Sequence, residues 1–543
     1  MINNSLREKL QVVLWSLLIH LLSLSSIATH SETVLAQNAP DFSSSSNELV
    51  ESFILKKVQL LNSTVLTPSE VEQVTKPYIS QSVTFFDLVK IQSALTNLYI
   101  QKGYVNSIVV LPAEQYINDG VVTFEAREGS VKLEITGYQS LNPQYIRSRL
   151  ARFLDTPMEL RKIEQGLTLL RQDPLFTNLE ANLTEIPSSP NSPNNLPPES
   201  LLTIKVVEAP KWSLGAEINN DENFTVGDTG VRFFLENQSL LGQGDNFRFE
   251  YKITEGLDRL LTAYTLPVNG KNGRIDLAYQ QTDAEIVHGL FEVLDIKSEA
   301  FTASVGFTQP VIFTPSETFE LGIRIDRREN QSYVLNDELF SNVKLTAFRL
   351  NQTYIKRSAD SLFLGLSQFT FGDSNLEIDP FFFSWQGQVQ FLKKIDDNKQ
   401  FYTRVALQLS PSTLPPSEEC TIGGRNGNIF IFGNIVRGYT TNGRTGDSCF
   451  AFNGELRFTL IEKESLSLQL FPFVDLGTVT NTRDSSLNPQ TLVSTGLGLR
   501  LNMGNSLNLQ VNYAIPLVNT QNIPGDSLQK QAGSFSLQGQ FRF

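Results

Sequence analysis

Two side chains in this sequence have the types and settings for a strong ion pair. Arg437 stands in Val436-Arg437-Gly438-Tyr439, within a stretch from Cys420 to Cys449 that holds seven glycines in thirty residues, against 34 in all 543. Glycine at that density means tight turns or backbone lying close against other groups. Asp475 stands in Phe473-Val474-Asp475-Leu476-Gly477. Just before and within this run, Leu466, Leu468, Leu470 and Val474 alternate with Ser467, Gln469, Phe471, Phe473 and Asp475. A strand there carries the carboxylate on its second face. An arginine on a loop and an acid on a strand face can form a charge-assisted, bidentate pair. The alternative is a surface arginine and a solvated acid. Cys420 and Cys449 would close a loop of about 30 residues in an exported chain, a bridge assigned roughly 3–4 kcal/mol by chain entropy. The alternative is two free thiols.

Catalytic chemistry has little to work with. Of three histidines, His20 and His30 fall in the first thirty residues and His288 stands alone. A Ser–His–Asp triad or a histidine metal site therefore lacks its parts. No paired-acid motif is present. The expectation is no catalytic, cofactor-binding or metal site, and no enzyme. A net charge of −13 without a basic stripe argues against a nucleic-acid partner.

The elements that must position Arg437 and Asp475 follow from periodicity. Residues 1–36 read as a signal peptide: Arg7 and Lys9, then an apolar run, then small-residue cleavage contexts ending at Ala28 or Ala36. Residues 37–50 are a polar linker. No later run approaches the roughly 20 apolar residues of a spanning helix, so any span must be β. Residues 51–128 and 129–208 each read β-α-α-β-β. The first begins with one strand over 53–60 and continues through helices over 68–79 and 87–102. Its last strands are 105–111 and 121–127. A Pro- and Asn-rich insert at 187–199 interrupts the second. Three strands backed by two helices leave an open sheet edge that can accept an extended guest.

From residue 209 the period becomes two. Phe247, Phe249, Tyr251 and Ile253 alternate with Arg248, Glu250 and Lys252. Segments of about 10 residues match tilted strands across a bilayer. A charged second face suits a wet lumen rather than a dry sandwich. Sixteen strands, from 211–219 to 533–543, give an α+β region followed by an all-β, 16-stranded antiparallel transmembrane barrel over 209–543. Strands six to eight are expected at 297–308, 317–327 and 343–355. Odd-numbered strands run outward, so the loop 411–447 after strand eleven leaves from the outer side and dips into the lumen.

At this point the chain resembles the hemolysin secretion/activation family of two-partner secretion transporters, in the superfamily that includes the BamA insertase. The likeness covers roughly residues 50–543. Val436, Arg437, Gly438 and Tyr439 match the family's VRGY loop motif, and Phe473, Asp475 and Gly477 its F-x-D-x-G strand motif. Lys102-Gly103-Tyr104, Leu111-Pro112 and Asp119-Gly120 match the first of two POTRA domains. The resemblance implies an outer-membrane protein with POTRA domains in the periplasm. These would capture an unfolded exoprotein passenger, which then threads the pore. It also implies an Arg437–Asp475 pair. The alternatives are a BamA-type insertase, which usually carries more POTRA domains, and a passive porin, which needs none. Some members carry an N-terminal plug helix. About 15 residues between Ala36 and the first strand leave no room for one, so pore closure is expected to fall on the loop. The Cys420–Cys449 bridge is not part of the family pattern.

Overall fold

The computed structural model describes residues 52–335 except 114, 116, 118 and 187–196, then 337–377, 379–424, 436–483, 490–504, 506–518 and 530–543. The expected signal peptide, the linker and most of the 187–199 insert lie outside the described residues. The chain forms two units, divided at Ala209 and Pro210.

The first unit holds two three-stranded sheets. Strands β1 (Phe53–Ile54), β2 (Lys57–Leu61) and β3 (Ser82–Val83) are joined by helix α1 (Pro68–Thr75). Helix α2 (Phe85–Gln101), β4 (Ile108–Val110) and β5 (Val121–Arg127) complete the module. Residues 53–60 are therefore not one strand. β1 pairs with β3, whereas β2 runs parallel to β5. The break has a physical cause: Leu55 is fully buried and the Lys56 amide donates to Gly120 O at 2.8 Å. A Cβ at Gly120 would stand 2.3 Å from Ile54 O, so only glycine permits this kink. β4 is likewise shorter than the expected 105–111, because Tyr104–Ser107 turn to meet the next module. Leu88, Ile91, Leu95 and Tyr99 of α2 fall at helical spacing and are buried.

The second module runs β6 (Ser130–Thr136), α3 (Pro143–Leu150), α4 (Leu160–Arg171), β7 (Phe176–Glu185) and β8 (Glu199–Glu208), with β8 in the middle of the sheet. The joint between modules is tight. Asn106 Nδ2 donates to Ser130 O at 2.9 Å and to Ser200 Oγ at 3.1 Å. The Met158 amide donates to Gly129 O at 2.8 Å, and the Leu160 amide to Gly103 O at 3.0 Å. A Cβ at Gly129 would lie 2.4 Å from the Asn106 side chain.

The second unit is a closed barrel of sixteen antiparallel strands among the described residues. Its first half is β9 (Trp212–Asn219), β10 (Gly230–Asn237), β11 (Asn246–Ile253), β12 (Leu257–Pro267), β13 (Arg274–Glu285), β14 (Lys297–Phe313), β15 (Glu317–Val334) and β16 (Glu338–Arg357). β17 (Ser361–Ser374), β18 (Phe381–Asp396) and β19 (Lys399–Leu409) follow. Three short strands lie in the next connection: β20 (Cys420–Ile422), β21 (Gly438–Tyr439) and β22 (Arg444–Gly446). The wall resumes with β23 (Ser448–Lys463), β24 (Leu466–Thr480), β25 (Gln490–Met503) and β26 (Leu507–Pro516), then the short β27 (Lys530–Gln531) and last β28 (Gly533–Arg542). β28 pairs back onto β9 from Ser536↔Asn219 to Arg542↔Ser213, so no wall strand keeps a free edge.

The charged face does point inward. Arg232 meets Glu250 at 3.2 Å and also pairs with Glu217; Lys252 meets Asp221 at 2.8 Å. Opposite charges on neighbouring strands thus neutralise one another along the inner wall. β14, β15 and β16 run well past the expected 297–308, 317–327 and 343–355. Beyond Ile325 the outward face turns polar, with Arg327, Glu329 and Gln331, and Glu329 pairs with Lys344 at 3.0 Å. In β15 the ladder thus continues where the apolar count stops; the added residues of β14 lie across a bulge between Pro310 and Ile312, and those of β16 lie opposite a bulge between Ser332 and Tyr333, so alternation is broken there.

Both helices of the first module begin with capping boxes. Thr67 and Glu70 exchange hydrogen bonds at α1, and Thr84 and Asp87 at α2. The hydrogen bond from Lys102, then those from Thr67, hold the Glu70 carboxyl down at about 2. Asp87 is also held at about 2, first by the Thr84 amide and then by Lys90. Because both values are depressed, the stability they contribute is present at neutral pH. It is lost as pH falls from the ordinary carboxylate range toward 2. The protection of α1 and α2 amides, taken relative to the intrinsic exchange rate at each pH, should therefore fall across that window. In Glu70→Gln and Asp87→Asn variants this pH dependence should flatten.

Candidate functional site

The connection between β19 and β23 returns along the inner wall. Ile422, Val436 and Tyr439 from this loop form one buried cluster with Ala406, Cys449, Ala451, Val479 and Leu492 of the wall. Cys420 and Cys449 are disulfide-bonded, with Cα atoms 6.3 Å apart. The bridge ties the loop to the start of β23. Residues 425–435, which include Gly427 and Gly433, lie outside the described residues.

Arg437 is 5% exposed and Asp475 is fully buried. The guanidinium donates from Nε to Asp475 Oδ2 at 2.7 Å and from Nη2 to Oδ1 at 2.8 Å. The Arg437 backbone amide adds a third bond to Oδ2 at 3.0 Å. Nη1 donates to Glu455 Oε1 at 2.9 Å. Asn453 Nδ2 also donates to Asp475 Oδ1. The Phe473 ring lies under the guanidinium, 3.5 Å from Cζ to centroid, in the geometry of a cation–π contact. Arg457 holds the other Glu455 oxygen at 2.7 Å. Two arginines thus balance two acids, and each carboxylate is fully engaged. That is the condition for burying such charges without leaving one uncompensated.

Each remaining motif residue has a steric or hydrogen-bonding task. Gly438 has φ +95°, and a Cβ there would press on Ala514 at 3.1 Å. β21 pairs with β27 of the β26–β28 connection. Tyr439 is fully buried; its hydroxyl donates to Val493 O at 2.8 Å and accepts from the Val518 amide at 3.1 Å. At Gly477 a Cβ would meet Val436 Cγ2 at 2.7 Å and Ile422 Cγ2 at 3.1 Å. Val436 therefore seats where Gly477 leaves the wall bare, so the two motifs fit by shape as well as charge.

Glu455 and Asn453 were missed from the sequence, although a signal existed. Asn453, Glu455 and Arg457 alternate with Phe452 and Leu456, which puts them on the inner face; that Asn453 lies opposite Asp475 and Glu455 opposite Phe473 depends on a bulge between Thr459 and Ile461 that counting from the turn does not supply.

A family model described as haemolysin secretion/activation protein ShlB/FhaC/HecB matches residues 198–501, more than half of the chain. The chain belongs to this family. A second model, POTRA domain of ShlB type, matches residues 53–129. The outer membrane transporter CdiB of Escherichia coli O6:K15:H31 is 20% identical over 83% of this chain and 77% of its own length. The heme/hemopexin transporter protein HuxB of Haemophilus influenzae is 21% identical over 87% and 85%. Among solved structures, CdiB from Escherichia coli superposes with a TM-score of 0.66 at 18% identity, covering 95% of this chain and 93% of that one. BamA from Haemophilus ducreyi lacking POTRA domains 1–3 gives 0.54 at 13% identity, covering 90% and 100%. Like other members of the haemolysin secretion/activation family, the chain is an outer-membrane barrel protein with POTRA modules on the periplasmic side.

Removing one partner of a buried pair costs about 3–5 kcal/mol, less where water reaches it. Asp475→Asn should therefore expose the loop to protease and lower the unfolding free energy by an amount in that range. Gly477→Val should act on the same loop through shape alone, at about 1–3 kcal/mol of overpacking. Limited proteolysis at Arg437 and Arg444, read by mass spectrometry, checks both.

Proposed function

We propose that this chain secretes an unfolded exoprotein through its barrel, with the lumen loop as the element that moves. The observation that carries the reading is the Arg437 cluster. A passive pore has no use for a buried, four-bonded arginine holding an outer loop against its inner wall. A transporter needs a loop fixed at rest and released when cargo enters. Its relatives CdiB and HuxB are both named as transporters.

The periplasmic modules fit the capture step. β2 and β4 are the edges of the first sheet and β6 and β7 those of the second. An edge presents unpaired backbone groups that an extended chain can add to, with side-chain pockets supplying selectivity. The passenger would then thread the lumen without ATP, and its folding outside would prevent return. The inner wall, lined with paired charges rather than apolar surface, gives a moving chain few places to stick. Insertase activity of BamA type finds support only in the shared barrel architecture.

Co-expression with each large exported chain of the same genome, followed by assay of the medium, tests this reading. One such chain should appear outside only when the transporter is present. Arg437→Ala should lower that amount about tenfold or more while the barrel still assembles. Secretion at the wild-type level with Arg437→Ala would remove the loop from the mechanism.

A further inference from the structure

The loop has a second charged contact, on its other limb and on a different part of the wall. Glu418 lies two residues before Cys420 and is buried. Its Oε1 accepts from Arg349 Nη2 at 2.7 Å and lies 3.4 Å from Arg328 Nη1. Arg328 Nη1 also donates to Ser417 O at 2.8 Å. Arg349 is held from behind by Asp326 at 2.5 Å and by Thr370 Oγ1 at 3.0 Å. Four residues earlier, Leu414 is buried against Leu345, Ala347 and Phe382 of the wall. Asp447 accepts the Leu414 amide at 2.7 Å and the Thr482 amide at 2.7 Å.

We propose that Glu418 is a positioning residue for the lumen loop: a second anchor whose release, together with that of Arg437, sets how often the pore opens. This rests on the loop-gated reading above. The two anchors have opposite polarity. At Arg437 the loop supplies the cation and β23 and β24 the acids. At Glu418 the loop supplies the acid and β15 and β16 the cations. Counting from β9, these are wall strands twelve and thirteen against seven and eight. The loop is thus strung across part of the lumen rather than pinned at one point. The disulfide divides its freedom. Arg437 lies inside the ring closed by Cys420 and Cys449, and Glu418 lies just outside it. Releasing Arg437 loosens the ring, while the limb from 411 to 419 keeps its contacts at Leu414, Ser417 and Glu418, of which Glu418 is the charged one. Opposite polarity also prevents exchange, since neither loop charge is attracted to the other's seat.

Single-channel recording of the purified full-length protein in planar bilayers tests this without any passenger. Glu418→Gln keeps the side chain's size and leaves Arg349 paired with Asp326, so the barrel should assemble, as heat-dependent gel mobility will show. It should raise the ratio of open to closed time about tenfold or more. Arg349→Gln should act in the same direction, and the double variant should fall short of the product of the two single effects, because both remove the Glu418–Arg349 contact although Arg349→Gln also loses its bonds to Asp326 and Thr370. Glu418→Asp should recover part of the closed state. Combining Glu418→Gln with Arg437→Ala should open the pore further than either alone. Wild-type gating in Glu418→Gln overturns the inference whatever Arg437→Ala does, as do effects of Glu418→Gln and Arg349→Gln that multiply. Failed secretion with these gating effects intact would count against the exoprotein reading alone.

Discussion

The structure depends on one carboxylate. Asp475 is buried and accepts from Arg437 Nε, Arg437 Nη2, the Arg437 amide and Asn453. Removing a charge from water is expensive, and only a full set of donors offsets the loss. The geometry requires arginine. A lysine carries a single point charge and could not serve both Asp475 oxygens while also reaching Glu455 and lying flat on Phe473. The loop's own backbone contributes a donor, so the pair fixes main chain as well as side chain.

That demand shapes the wall around it. Phe471 and Phe473 point into the lumen from β24, and their rings lie over Gly498 and Gly496 of β25, where a Cβ would come within 2.1 and 2.6 Å of them. Glycines under aromatic rings thin the wall and let the rings lie flat, which gives Arg437 its platform. Gly477 does the same for Val436. Polar strands elsewhere in the lumen neutralise charge laterally, as in Arg274 with Glu320 at 2.9 Å. Here the charge is neutralised by a loop.

Much of this was legible in the alternation of single residues. Parity placed Asp475 inside, and the sixteen strands fall close to where period two begins and ends. The Arg437 pairing needed the family motif, because spacing does not say where a 37-residue loop will fold. Where the reading fell short, the cause was local. Leu55 looked like part of a continuous strand because its burial matches either geometry; the amide of Lys56 turning to Gly120 is a tertiary effect. β15 runs past its expected end because its outward face turns polar after Ile325, and a bulge between Ser332 and Tyr333 shifts its pairing with the start of β16. The inward face of Glu455 was readable from alternation, but its place beside Asp475 was not, because a bulge between Thr459 and Ile461 shifts the register. Glu418 was not, since its partners Arg328 and Arg349 lie far back in the sequence and only closure of the barrel brings them near.

The joint between the two periplasmic modules has a consequence of its own. Asn106, Gly129 and Met158 lock the pair so closely that an added methyl group at residue 129 has nowhere to go. Two receptors on a floppy tether would accept gripping segments at many separations along a guest. Two receptors held at one angle would accept only those whose spacing matches. If the modules bind an extended passenger as proposed, the rigid pair would act as a gauge of distance along it, favouring sequences whose contacts recur at the matching interval.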